Sequence, residues 1–238
     1  MDDVKLLKRM IDEANYIVFF GGAGVSTDSG IKDFRGKNGL YTKKYDSYPP
    51  EYLLSERCFY NDTKLFFDNY KENMNCLAAK PNITHKYLKK LEDKGKLKAI
   101  ITQNIDGLHQ KAGSKSVYEL HGTVMNNYCT KCGKKYDAKY VFESKDIPKC
   151  SCGGIIKPDV VLYGQMLPEK DYNQSIVHIS KADLLIVAGT SLLVHPACDL
   201  VEMFDGKKLV IINDSPTPYD YKADLVIRKQ LKEVFENL

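Results

Sequence analysis

Six stretches of this chain, residues 16–20, 97–102, 117–120, 183–188, 208–213 and 224–227, are rich in consecutive rather than alternating apolar residues. A strand with one wet face alternates, whereas a strand covered on both faces does not, so these runs predict a parallel sheet between layers of helix. The intervening segments switch to helical spacing. Leu6, Leu7, Met10 and Ile11 mark residues 3–14, and Ile83, Tyr87, Leu88 and Leu91 mark residues 81–94. Tyr172, Ile176, Val177 and Ile179 do the same for residues 168–181. Strand, helix, strand repetition predicts an α/β fold, a Rossmann-like parallel sheet with right-handed crossovers.

Two segments break the rhythm. Residues 37–80 are aromatic and polar, with Tyr41, Tyr45, Tyr48, Phe59, Tyr60, Phe66, Phe67 and Tyr70, and predict a helical insertion. Residues 127–154 hold four cysteines and few core-forming side chains, so they need a staple to fold. The expected organisation is a sheet domain of residues 1–36, 81–124 and 155–238. The helical insertion, 37–80, and the cysteine module, 125–154, would together form a smaller domain.

Composition narrows the classes. With 238 residues, 43% hydrophobic and 28% charged, the chain can fill a core and is not low-complexity disorder. The longest apolar stretch, 184–194, is interrupted by Gly189, Thr190 and Ser191, short of the ~18 residues that a membrane span needs. The first ten residues alternate charges with Leu and Val and lack the apolar region of a secretory signal, so a cytoplasmic location is expected. A net charge of +4 spread over this length argues against a nucleic-acid surface.

In a reducing compartment, clustered cysteines read as metal ligands before disulfides. Cys129 and Cys132 are followed after 17 residues by Cys150 and Cys152, close to a zinc-ribbon template. Four thiolates fill a tetrahedral sphere, so the metal would be structural Zn²⁺; metal-free thiols are the competing reading. Cys58, Cys76 and Cys198 stand alone and read as small buried hydrophobes.

After the first predicted strand come Gly21, Gly22, Ala23, Gly24 and Thr27, a turn able to admit a pyrophosphate, with a helix N-terminus expected behind it. Gly22 and Gly24 fit G-x-G-x-x-G, but Thr27 takes the third glycine's place and no acidic residue ends a strand about 20 residues on. A hydride-transferring dehydrogenase is therefore disfavoured. The next strand runs into Gln103, Asn104 and Asp106, polar groups at the carboxyl end of a buried strand, where open α/β sheets hold ligands. The third ends in Glu119, Leu120, His121 and Gly122, a placement that suits a general base. His109 is a candidate companion, while His85, His178 and His195 read as structural. Later strands end in Gly189, Thr190, Ser191 and in Asn213, Asp214, which suit a ribose and an adenine edge or else cap the following helices.

Taken together, GAGVSTDSGIKDFR (22–35), TQNIDGLH (102–109), His121-Gly122, the four cysteines, KPDVVLYG (157–164), Gly189-Thr190-Ser191 and Asn213 resemble the sirtuin family, in family order and over nearly the whole chain. The resemblance implies an NAD-dependent protein lysine deacetylase of bacterial type, with NAD as co-substrate and one structural Zn²⁺. It implies that Ala23, Thr27, Phe34 and Arg35 surround the pyrophosphate and nicotinamide ribose. Gln103, Asn104, Ile105 and Asp106 would line the nicotinamide pocket, and Thr190, Ser191 and Asn213 the adenosine side. An acetyl-lysine peptide would enter past Val161 and Tyr163 and pair as an added strand with Gly164 and Gln165. His121 would take a proton from a ribose hydroxyl, and the acyl group would pass to ADP-ribose as nicotinamide leaves.

The chain departs from the family pattern in Lys32, where Pro is usual, and in Gln165, where Glu is usual. Members that prefer acidic acyl groups carry Tyr and Arg in the helical insertion; the matching stretch FFDNYKE (66–72) has no Arg. A neutral, short acyl group is therefore expected. The rival readings are mono-ADP-ribosyl transfer from the same pocket and a zinc-ribbon binding module using Lys131, Lys134, Lys135 and Tyr136. The second leaves the polar strand ends unexplained.

Overall fold

The computed structural model describes residues 2–33, 39 and 48–238, so Phe34, Arg35, Tyr41 and Tyr45 lie outside the described residues. Its strands are β1 (Ile17–Gly21), β2 (Leu97–Thr102), β3 (Val117–Glu119), β4 (Gly122–Cys129), β5 (Lys135–Asp137), β6 (Ile156–Val160), β7 (Leu184–Ala188), β8 (Lys208–Ile212) and β9 (Leu225–Ile227). The helices begin with α1 (Asp3–Glu13), α2 (Pro50–Leu53), α3 (Glu56–Asn61), α4 (Thr63–Met74) and α5 (Ile83–Asp93). They continue with α6 (Leu108–Lys111), α7 (Ala138–Glu143), α8 (Glu169–Lys181) and α9 (Leu231–Phe235).

Six parallel strands form one sheet in the order β3-β2-β1-β7-β8-β9, the six apolar runs of the sequence. The order reverses at β1, so the crevice beyond the carboxyl ends of β1, β2 and β7 is a topological switch point. Every residue of β1 is buried. Ile17 and Phe19 face a core shared with Leu7, Ile11, Leu88 and Phe235, whereas Val18 and Phe20 face one shared with Ile179, Leu200 and Val201. The period-2 pleat thus sends alternate side chains into two separate cores, which is why the strands read as unbroken apolar runs. β5, β4 and β6 form a second, antiparallel sheet. A third core joins it to the helical insertion through Phe59, Phe66, Phe67, Tyr70, Val124, Val141 and Ile156.

Among the described residues, no α-helix follows the glycine turn directly. Two short 3-10 turns, Ala23–Val25 and Thr27–Ser29, stand there instead. Thr27 Oγ1 donates to the Gly24 carbonyl at 3.0 Å, and Gly30 turns out of the second with φ of 82°. Local hydroxyl bonding of this kind competes with helix propagation.

Two histidines are sealed beside this sheet. His85 on α5 and His109 on α6 have ring centroids 4.7 Å apart and are essentially unexposed. Among the described residues, neither His109 nitrogen has a hydrogen-bond partner, and His85 Nε2 has none. Burial lowers the pKa of His85 to about 4, and burial together with the neighbouring His85 lowers that of His109 to about 3. Below the ordinary imidazole value of about 6.5, the unfolded chain takes up protons that the folded chain refuses. Stability is therefore expected to fall as pH drops from about 6.5 towards 4, by up to about 1.4 kcal/mol per pH unit for each histidine. Chemical denaturation at a series of pH values measures this slope, and His109→Leu should reduce it.

Candidate active site

The crevice at the switch point is built on close contact between two glycine turns. Gly22 N donates to the Ala188 carbonyl at 3.1 Å and Gly24 N to the Gly189 carbonyl at 2.8 Å. A Cβ on Gly24 would lie 2.7 Å from Gly189 Cα, and one on Gly22 would lie 2.6 Å from Thr190 Cβ. Gly189 itself has φ of 60°, the left-handed region that favours glycine. The glycines thus first allow the loops after β1 and β7 to touch each other.

Between those loops sits a hydrogen-bonded set from three chain segments. Asn104 Nδ2 donates to Ser26 Oγ at 3.1 Å, and Ser26 Oγ donates to Asp106 Oδ2 at 2.6 Å. The other carboxylate oxygen accepts from Leu108 N at 2.8 Å, and Asn104 N donates to Thr102 Oγ1 at 3.0 Å. All of these side chains are buried. Burial raises the Asp106 pKa, and the bonds from Ser26 and Leu108 partly offset it. Gln103 N donates to the Gly21 carbonyl, and its Oε1 accepts from Thr190 Oγ1 at 2.8 Å. Gln103 Nε2 is buried with no partner among the described residues, a donor waiting for an acceptor.

His121 is half-buried at the end of the β3 region. Its Nδ1 lies 3.0 Å from the Gln103 carbonyl, which can only accept, so the proton sits on Nδ1 and Nε2 carries the lone pair. Burial lowers its pKa, and the Gln103 carbonyl pulls the other way. The next residue, Gly122, has φ of 68°, and a Cβ there would meet the Asp159 carbonyl oxygen at 2.1 Å. The His121 carbonyl accepts from Val161 N at 2.9 Å, which holds β6 against the base.

The remaining sequence candidates divide. Ala23 and Ile105 are partly exposed beside the turn and the Asn104 network, while Ser191 follows Thr190 on the β7 loop. Asn213 Nδ2 is used locally, donating to the Ser215 carbonyl at 2.8 Å, and Asp214 accepts from Ser215 Oγ and Gln230 Nε2. Val161 is partly buried and Tyr163 is exposed. The Tyr163 backbone pairs with the insertion, its N–H donating to Leu54 and its carbonyl accepting from Glu56. Gln165 Nε2 donates to Glu56 Oε1 at 3.0 Å, a bond that a glutamate at 165 could not make. Ser26 is the residue that single-motif reading passes over, since a serine inside a glycine turn reads as turn chemistry. Its signal is the polar strand end at Asn104 and Asp106, which needs a third partner.

The four cysteines converge. Cys129 Sγ lies 3.5 Å from Cys152 Sγ and Cys132 Sγ 3.6 Å from Cys150 Sγ, with all four sulfurs within 4.8 Å of one another. A tetrahedral zinc–thiolate site has edges of about 3.8 Å, so the donor set fits Zn²⁺. The Cys152 backbone N–H, with the Tyr136 hydroxyl, pulls the Cys150 thiol down to about 6, towards the thiolate that a metal takes.

A parallel Rossmann-like sheet, a polar switch-point crevice with a histidine and a four-cysteine module together define a nucleotide-binding enzyme with a structural zinc ribbon. The Sir2 family profile matches residues 22–196, and the chain belongs to that family. It is 55% identical to an NAD-dependent protein deacetylase of Clostridium acetobutylicum, covering 100% of this chain and 98% of that one. It is 54% identical to one from Clostridium tetani over 98% and 96% of the two chains. A solved Sir2 with a deacetylated p53 peptide and 3'-O-acetyl ADP-ribose superposes with a TM-score of 0.91 at 41% identity, covering 98% of this chain and 96% of that one. A Sir2 with p53 peptide and NAD⁺ gives 0.86 at 40% identity, covering 98% and 95%.

The zinc assignment is testable by metal removal. Cys150→Ala is expected to lose one bound zinc per chain and to melt the antiparallel sheet, because a structural zinc contributes on the order of 10 kcal/mol to such a module. Metal analysis with near-UV circular dichroism checks this; a folded, zinc-free variant would count against it.

Proposed function

We propose that this chain is an NAD-dependent protein lysine deacetylase that passes the acyl group from lysine to ADP-ribose and releases nicotinamide. The observation that carries this reading is the Ser26–Asp106–Asn104 network beside an oriented His121, in a chain that matches deacetylases end to end. The acetyl-ADP-ribose seen with a relative is the product of acyl transfer, which favours this reading over ADP-ribosyl transfer to protein.

When bound, NAD supplies an electrophilic sugar carbon and a leaving nicotinamide. Asn104 and Asp106, fixed through Ser26, offer a donor and an acceptor to the departing amide, and Gln103 Nε2 offers a further donor. Rigid polar groups in a water-poor crevice stabilise developing charge without reorganising. His121 accepts a ribose hydroxyl proton at Nε2 while Nδ1 stays bonded to the Gln103 carbonyl. Ala23 and Thr27 would serve the pyrophosphate side, to which the family pattern also assigns Phe34 and Arg35, outside the described residues, and Thr190, Ser191, Asn213 and Asp214 the adenosine side. The acyl-lysine enters past Val161 and Tyr163, with Gly164 and Gln165 along its backbone. We read the parallel sheet with its helices as the NAD unit and the insertion with the ribbon as a smaller one, which their shared core supports. Among the described residues no helix is long and apolar enough to cross a membrane, and zinc-binding thiols that must stay reduced favour the cytoplasm.

Mass spectrometry of an acetyl-lysine peptide with and without NAD tests the activity: deacetylated peptide should appear only with NAD, in step with free nicotinamide. His121→Ala is expected to lower kcat/KM by about 100-fold or more without unfolding the chain. Because the base must be unprotonated and burial lowers its pKa, wild-type kcat/KM should rise with pH to a value below about 6.5 and stay level above it.

The lining of the insertion argues for a neutral acyl group. Phe66, Phe67 and Tyr70 are buried in their own core. Lys71, the one cation in that stretch, donates to the Ser144 and Asp146 carbonyls instead. An acetyl peptide should be turned over at least about tenfold more efficiently than its succinyl counterpart, since Lys71, the cation of that stretch, is already engaged and does not offset desolvation of the extra carboxylate. Equal kcat/KM for the two would defeat the claim.

A further inference from the structure

The loop after β7 carries a second set of metal-ligating side chains that deacylation does not use. His195, Cys198 and Asp199 stand at i, i+3 and i+4 where the loop runs into the 3-10 helix Ala197–Met203. Cys198 and Asp199 lie in the first turn of that helix, and His195 reaches them from the loop just before its N-cap, Pro196. One donor atom from each lies within 4.8 Å of the other two. His195 Nδ1 is 2.6 Å from Asp199 Oδ1, and Cys198 Sγ is 3.8 Å from the same oxygen. Cys198 is fully buried, whereas the His195 and Asp199 side chains are 67% and 38% exposed. The sulfur therefore forms the floor of the cluster, and the imidazole and carboxylate form a rim open to water.

We propose that His195, Cys198 and Asp199 form a second divalent-metal site, separate from the four-cysteine ribbon, that takes a borderline ion such as Zn²⁺ or Co²⁺. A nitrogen, a sulfur and an oxygen donor select such ions over Mg²⁺ or Ca²⁺, which bind through oxygen. Three protein ligands leave a coordination position for water, the composition of an open rather than a closed site. For bonds of about 2.0–2.3 Å, tetrahedral edges run to about 3.4–3.8 Å. The sulfur–carboxylate distance already matches, and the His195–Asp199 hydrogen bond must open by about 1 Å, which needs only a rotation of two exposed side chains. On binding, the Cys198 thiol releases its proton to water, and the His195 proton, which faces the Asp199 carboxylate on Nδ1, leaves to water as Nε2 takes one up, so that the metal occupies both places.

Two other uses of these groups fit less well. A cysteine activated by histidine would need the ring nitrogen aimed at the sulfur. Here Nδ1 is aimed at Asp199 rather than at the sulfur. A plain surface pair of His195 and Asp199, with Cys198 only filling the core beneath it, accounts for the packing but not for the sulfur's approach to the carboxylate, so the sulfur is the group that the test reads.

The test is a Co²⁺ titration of the full-length protein with its ribbon already filled with Zn²⁺, followed by sulfur-to-cobalt charge-transfer absorption. Wild type is expected to saturate at one further equivalent. Cys198→Ser should abolish that band, and His195→Ala should weaken binding at least about tenfold. Cobalt that merely displaced ribbon zinc would give a band that survives Cys198→Ser, so matching titrations of wild type and Cys198→Ser overturn the proposal. His195→Ala alters an exposed side chain and remains readable if Cys198→Ser fails to fold; unchanged affinity there also overturns it.

Discussion

The contact between the glycine turns that end β1 and β7 fixes the geometry of everything in the crevice. Backbone bonds from Gly22 and Gly24 to Ala188 and Gly189 leave no room for a Cβ on either side. Because the turns meet, Thr190 reaches Gln103, and Ser26 is lowered onto Asp106 and Asn104. A single methyl group at Gly24 or Gly189 would separate loops that carry groups from three strand ends. Backbone proximity, rather than side-chain chemistry, is the scarce resource at this switch point.

Electrostatics follows from that geometry. Burying Asp106 costs desolvation, and the Ser26 hydroxyl and Leu108 amide return part of that cost as hydrogen bonds. The same enclosure lowers the His121 pKa and so favours the neutral ring, and the Gln103 carbonyl selects which nitrogen holds the proton. One residue, Gln103, therefore touches the base through its carbonyl and the β7 loop through its side chain. Its unpartnered amide is the group left over for a ligand.

The antiparallel sheet shows a different way of reaching stability. β4, β5 and β6 bury few large apolar residues of their own. They lean on the aromatic cluster of α3 and α4 from one side and on four converging sulfurs from the other. Gln165 and Tyr163 tie the segment after β6 to Ser55 and Glu56, so the edge offered to a peptide is held from the insertion. A short sheet of this kind is cheap to position but cannot fold on its own core.

The six parallel strands, three of the four long helices, at residues 3–13, 83–93 and 169–181, and the four-cysteine cluster are legible in the chain alone. Consecutive apolar residues, the 3.6-residue period and paired thiols are local patterns with one physical outcome each. The antiparallel strands were not legible, because a run such as β4 mixes Val124 and Tyr128 with Asn126 and Asn127 and is ordered by its neighbours rather than by its period. Nor was the short 3-10 path behind the glycine turn, where hydroxyl groups of the loop compete with a helix. Ser26 as the bridge between Asn104 and Asp106, the bond from Gln165 to Glu56 and the His85–His109 pair join residues far apart in the chain. Local pattern fixes which segments become the parallel strands and which thiols can share a metal. Contacts across tens of residues form only when the fold closes, and so the proton positions and the bridging side chains of the crevice belong to tertiary structure alone.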